Sequence, residues 1–248
     1  MAQFDNYSNV LPNPSNSIDY AGSSEGNTGD AAGPGYASVQ ISSKFQTAMD
    51  KTNSGTLISR SKASHGFEVN IRYNPLTEEE FMPVYGFLME KQGMLKSFLV
   101  PIPQYDNPQD STLAAGSINF AVNNPSNYSA GVSKIDIDAA GYNPSTQGTL
   151  RPGDLITFTD SADSNHLKAY KITRVETSTD YQGQPSAAPT SNELRVSISP
   201  PLQKNLSNNS VVNYKNPKMK VIMKSDVLQY DLKTDNRYSF SLNLQEVQ

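Results

Sequence analysis

The sequence predicts a mostly β fold (β+α): a β-sandwich or barrel with one flanking helix, into which a small β-barrel is inserted as a second domain. Three observations carry that expectation. Apolar residues alternate with polar ones at Phe67, Val69, Ile71 and Tyr73, and again at Tyr238, Phe240, Leu242 and Leu244, the period of strands with one dry face. One segment, near 78–91, switches to helical spacing. Between 106 and 213, turn-forming pairs crowd around short apolar runs, as in a barrel of short strands.

Residues 1–35 come first, as an extended arm. They are rich in Asn, Ser, Gly and Pro, show no periodicity, and hold too little apolar material to offset their own ordering entropy. Two readings stand side by side: a disordered tail, or an arm that orders on a neighbouring subunit through Phe4, Tyr7, Val10, Leu11, Ile18 and Tyr20. Strands then begin at Val39 and Ile41 and continue through Phe67 to Tyr73.

Thr77 followed by Glu80 is a capping box, and Glu78, Glu79 and Glu80 lie at the positive end of the helix dipole. Phe81, Val84 or Tyr85, Leu88 and Met89 make one apolar helical face, which Lys91 and Gly93 terminate. Pro83 lies beyond the first turn, where it removes a donor and crowds the preceding turn, so a kink or a tight opening turn is expected. Phe98, Val100 and Ile102 return to strand alternation.

In the turn-rich stretch, Arg151, Pro152, Gly153 and Asp154 fit a type II turn, with Pro fixing φ at the second place and Gly supplying positive φ at the third. Short strands follow at Leu155, Ile156 and Phe158, at Tyr170, Ile172 and Val175, and at Leu194, Val196 and Ile198; Ile135 and Ile137 mark one before them. Met219, Val221 and Met223 and then the Tyr238 run come last. That final run needs partners for its dry face, and the first β region offers them. Residues 36–105 and 214–248 therefore form one discontinuous β domain, with 106–213 inserted in it.

Composition narrows the function. Apolar residues make up about 37% of the 248 once the 13 Tyr are exchanged for the 15 Gly, against roughly 45–50% in a typical domain. Such a chain depends on neighbours for part of its burial. Asp5, Asp19, Glu25 and Asp30 precede the first base, Lys44, and account for the whole net charge of −4. There is no Cys, hence no disulfide or thiolate site. No apolar run is long enough to span a bilayer, and the first residues do not read as a signal peptide.

Candidate chemistry is sparse. His65 and His166 are isolated, outside any two-His metal spacing. Glu78 to Glu80 point about 100° apart on successive helix positions, and capping explains them. Asp136 and Asp138 share a strand face and could pair. Asp160, Asp163 and Asn165 resemble a calcium loop, but Ala162 and Asn165 occupy its third and sixth positions, where a ligand and Gly are needed. No G-x-S-x-G, Walker or G-x-G-x-x-G motif is present. Lys218, Lys220 and Lys224 share strand parity and could face phosphate, yet the acidic pI of about 5.2 argues against a dedicated nucleic-acid binder. The expectation is a protein that is not an enzyme and carries no catalytic, cofactor-binding or metal residues.

The stretch Ile58 to Pro103 resembles the signature region of bacteriophage tail proteins: distal tail, baseplate-hub and minor tail components with the tail-tube fold. The features are Tyr73 and Pro75 ending a strand, the Thr77-capped acidic turn through Phe81, then Phe87 and Leu88, and Pro101 with Pro103. Leu150 to Leu155 resembles the opening of the small barrel inserted in such proteins, and Tyr238 to Ser241 their final strand. The resemblance implies a virion component forming a ring, commonly hexameric, at the distal tube end or baseplate hub, which lines or extends a DNA channel. Its partners would be copies of itself and adjacent tube, baseplate or hub proteins, with DNA only in passage and no membrane. Alternatives are a tail-tube or neck ring and a carbohydrate-binding β-sandwich using the abundant Tyr and Asn; a tail enzyme that cleaves peptidoglycan would need a carboxylate pair or metal site that these residues do not assemble.

Overall fold

A computed structural model of the chain describes residues 9–14, 33–181 and 189–247. It is mostly β, with 41% of residues in strands and 12% in helices. In chain order the strands are β1 (Tyr36–Lys51), β2 (Leu57–Tyr73), β3 (Phe98–Pro101), β4 (Ala121–Val122), β5 (Lys134–Asp138), β6 (Leu155–Thr159), β7 (Ala169–Glu176), β8 (Glu193–Ser199), β9 (Val211–Asn213), β10 (Lys218–Met223), β11 (Tyr230–Leu232) and β12 (Tyr238–Glu246). The α-helices are α1 (Glu78–Glu90), α2 (Ser111–Ala115) and α3 (Pro144–Gln147).

The chain divides into two compact units, Met1–Val100 with Val221–Val247, and Pro101–Lys220. These bounds lie outside the 106–213 read from turn texture. Ile102 is fully buried, and Tyr214 belongs to the second unit's core, where its hydroxyl donates to the Ile118 carbonyl at 2.8 Å. Core residues at both edges of the insert are invisible to a search for turns.

The first unit is a sheet in the order β1–β2–β12–β10–β3, with β11 beside β12. Val39, Ile71 and Leu242 stand in one cross-strand row and Ile41, Val69 and Leu244 in the next. Each buried Val, Leu, Ile or Phe on this face contributes about 1.5–3 kcal/mol relative to exposure. Helix α1 begins with the Glu80 carboxylate reaching back to the Thr77 N–H at 2.9 Å and accepting from its hydroxyl at 3.0 Å. The helix runs unbroken through Pro83, with neither a break nor a 3₁₀ opening turn. The bond that Pro83 forgoes is to the carbonyl of exposed Glu79, where water can take its place.

Phe81, Val84 and Leu88 are buried, whereas Met89, expected on the same face, is 54% exposed. Phe81 stacks on Tyr238 with centroids 4.5 Å apart and meets Phe240 edge-on at 5.7 Å. The helix ends where Lys91 donates to the Leu88 carbonyl and Gly93 takes φ of +65°. A Cβ at Gly93 would lie 2.9 Å from the Asp226 backbone, so only Gly fits.

Part of the arm packs on its own chain. Val10 forms a parallel bridge with Leu99; the Leu11 N–H donates to the Leu99 carbonyl, and the Leu99 N–H to the Asn9 carbonyl, both at 2.8 Å. Val10 and Leu11 are buried. For these two anchors the expectation of a free tail or a neighbour's surface is corrected: β3 had an open edge, and they fill it. Phe4, Tyr7, Ile18 and Tyr20 lie outside the described residues, as do the four acids of the arm.

The second unit is a closed barrel in the order β4–β5–β8–β7–β6–β9. Phe120, Ile137, Phe158, Tyr170, Val196 and Leu206 fill it, all with 0% exposure. Closure leaves no strand edge open. The Arg151–Asp154 turn forms as its residues dictate: Gly153 has φ of +101° and the Asp154 N–H returns to the Arg151 carbonyl at 3.0 Å. The Asp154 carboxylate also takes the backbone N–H groups of Arg151 and Gln109 at 2.8 and 3.1 Å. Beside it Asp110 caps α2 through Thr112 and Leu113 and binds Arg151 at 2.9 Å.

Candidate functional site

The β1–β2 hairpin extends past the sheet that supports it. Its strands pair from Tyr36 with Tyr73 to Lys51 with Leu57, whereas β12 covers β2 only from Glu68 to Arg72. At its tip the Thr52 N–H donates to the Thr56 carbonyl at 2.9 Å, and Gly55 turns the chain with φ of +85°. The residues Thr52 to Gly55 are turn formers, and long strands on either side convert that turn into a projection.

The outer half exposes apolar side chains. Phe45, Met49, Leu57 and Ile58 are 66%, 62%, 60% and 55% exposed. A ring ladder leads from the core to this surface: buried Phe67 meets His65 at 4.7 Å, and His65 meets Phe45 at 4.6 Å. The His65 Nε2 lies 2.7 Å from the Ser43 hydroxyl. More broadly, every large hydrophobic residue found exposed among the described residues belongs to the sheet unit except Val211.

The opposite, polar face is ordered in rows across β1, β2 and β12: Ser38, Arg72 and Ser241; then Gln40, Asn70 and Asn243; then Ser42, Glu68 and Gln245. Lys44 and Lys224 both bond Glu68, the latter at 2.9 Å. Those two ammonium groups, Lys44 first, hold the Glu68 carboxyl below its usual pKa. The face is thus mostly hydroxyls and amides, with Glu68 shared by Lys44 and Lys224 and with Arg72 adding a further positive charge.

The other candidates do not converge on one place. Asp136 pairs with Arg195 at 2.6 Å, while Asp138 stands opposite Glu193. Burial, and then the Glu193 charge, raise the Asp138 pKa. Asp160 accepts from the Ala162 and Ser207 N–H groups, and Asp163 from the Asn165 N–H and Lys204. Lys218 and Lys220 are half-buried on β10. Tyr73 and Tyr238 pack against Phe240 and Phe81. Among the described residues no three His, Asp or Glu gather as a metal site.

The hairpin tip was missed in the sequence. Its one signal was the Thr52–Gly55 turn, because a hairpin wet on both faces carries no alternation. Compared with models of known protein families and with curated proteins, the chain matches none.

Proposed function

We propose that the chain is a structural, non-catalytic subunit of a bacteriophage tail that packs side by side into a ring, six-fold by resemblance. Its place would be the distal tube end or baseplate hub, where the ring lines or extends the DNA channel. A tube or neck ring would use the same surfaces. The resemblance of Ile58 to Pro103 supplies the tail context, and one structural observation carries the assembly: exposed apolar residues concentrate on the projecting hairpin and its sheet unit. A two-stranded projection has little stability of its own, and the large apolar side chains exposed on it are candidates for burial against a partner. Copies of the chain, joined through a heterologous contact that closes, meet both needs.

The polar face then supplies a wall made mostly of hydroxyls and amides, with few basic groups to grip passing DNA. Neighbouring tube, baseplate or hub proteins would meet the ring's two rims. Among the described residues no helix is long and apolar enough to cross a membrane. The test is sedimentation of the purified protein beside Phe45→Asp and Leu57→Asp. The expected outcome is a ring-sized species for the unchanged chain and folded monomers for both variants. A chain that stays monomeric at high concentration and is missing from purified tails by mass spectrometry would end the reading.

A further inference from the structure

Helix α1 has two organised faces. Phe81, Val84 and Leu88 are buried on one, while Glu79, Met82, Gly86 and Met89 are exposed on the other. The second set recurs at steps of three, four and three residues, the spacing of a seam along which a helix meets a partner. Methionines suit such a seam, because their flexible thioether chains adapt to what they cover.

Gly86 is the residue that the chain's own packing leaves unexplained. It lies inside the helix, its φ is not positive, and a Cβ added there would meet nothing within 4 Å. Neither backbone geometry nor an internal close approach calls for glycine, which weakens a helix interior relative to alanine. What Gly86 does provide is a notch, open to solvent, between Met82 and Met89.

The tip of the β1–β2 hairpin has the complementary form. Met49 pairs with Ser59 and Lys51 with Leu57, so Met49, Lys51 and Leu57 stand on one side of it. Charge matches as well: α1 carries Glu78, Glu79, Glu80 and Glu90 and no base, whereas the hairpin between 46 and 60 carries Lys51 and Arg60 against Asp50 alone. Lys51 lies about 7 Å along its strand from Met49, and Glu79 about 10 Å along its helix from Gly86. Side chains as long as Lys and Glu bridge that difference.

From these two surfaces we infer that the outer face of α1 receives the hairpin of a second copy of this chain, with Leu57 in the notch at Gly86, Met49 beside it and Lys51 directed to Glu79. The inference rests on the reading of the chain as a self-assembling subunit and names the surface that its hairpin meets. The two surfaces differ, so each copy gives a hairpin to one neighbour and receives one from another, which is the head-to-tail contact of a closed ring.

Sedimentation of the full-length chain beside thermal melts tests this. Gly86→Leu fills the notch. Its melting temperature should rise by about 2–4 °C, since a better helix former replaces glycine, while the concentration needed for half-assembly should rise about thirtyfold or more. Leu57→Asp keeps an intact helix face and Gly86→Leu an intact hairpin, so the two variants, each monomeric alone, should give a dimer and nothing larger when mixed. A lower melting temperature in Gly86→Leu, assembly of that variant like the unchanged chain, or a mixture that stays monomeric would each overturn the docking and leave the ring reading standing. An unchanged chain that stays monomeric would remove both.

Discussion

The barrel and the sheet unit handle their strand edges and apolar surface in opposite ways. The barrel closes on itself, and Val211 is its only large hydrophobic residue found exposed among those described. The sheet unit ends in an overhanging hairpin and leaves Phe45, Met49, Leu57 and Ile58 in solvent. The low apolar content of the chain is therefore not spread evenly. One unit has a complete core, and the exposed apolar surface falls on the other.

The largest expected effect tests the barrel's self-sufficiency. Phe158→Ala should destabilise it by about 3–5 kcal/mol through lost transfer energy and a cavity, measured by denaturant unfolding. Phe240→Ala should act as strongly on the sheet unit, because that ring is 5% exposed between Tyr73 and Phe81. A loss well under 1 kcal/mol in Phe240→Ala would mean that the sheet unit gains its order from assembly alone. Leu11→Ala comes next, at about 2–5 kcal/mol. It separates the buried part of the arm from a dispensable tail, for which no change would be seen.

Asp110→Ala sharpens the comparison on the barrel side. Loss of the α2 cap should cost about 0.5–2 kcal/mol. The Leu113 N–H first, then Arg151 and other backbone donors, hold the Asp110 pKa down against burial. A depressed carboxylate pKa adds stability above about 3.8 that disappears as pH falls through the folded value. Thermal melts between pH 5 and 2 should therefore show a shallower acid loss in the variant than in the unchanged chain. The smallest stability effect belongs to Phe45→Ser, within about 0.5 kcal/mol for so exposed a side chain. Its sedimentation should nonetheless shift to the monomer.

Most strands were legible because one face of each is dry. Phe67 to Tyr73 alternate and are buried accordingly, as are Phe240, Leu242 and Leu244, and Ile135 with Ile137 marks β5. The tip of the hairpin was not legible, since neither face is covered and no period survives. Ala121–Val122 and Tyr230–Leu232 are too short to show a period at all. Met89 has the spacing of a core residue and lies in solvent, which periodicity alone cannot distinguish from Leu88. The pairing of Leu11 with β3 could not be read either, because a two-residue contact across a long gap in sequence has no local signature. The candidate surface was therefore the least readable part of the chain: strands with no covered face leave no periodic mark in the sequence.

The position of β12 sets an order on synthesis. It lies between β2 and β10 in the sheet, yet it follows the whole barrel in the chain. During translation the contiguous barrel can fold as soon as its own residues emerge, whereas β2, already paired with β1, must wait for its second partner, encoded more than a barrel's length downstream. Pairing over so long a separation is slow, and a nascent chain whose apolar hairpin still has an open edge is prone to join another chain too early. The open edge of β2 is thus closed only once Tyr238–Glu246 has docked, so the sheet unit is complete only when its last strand has been made.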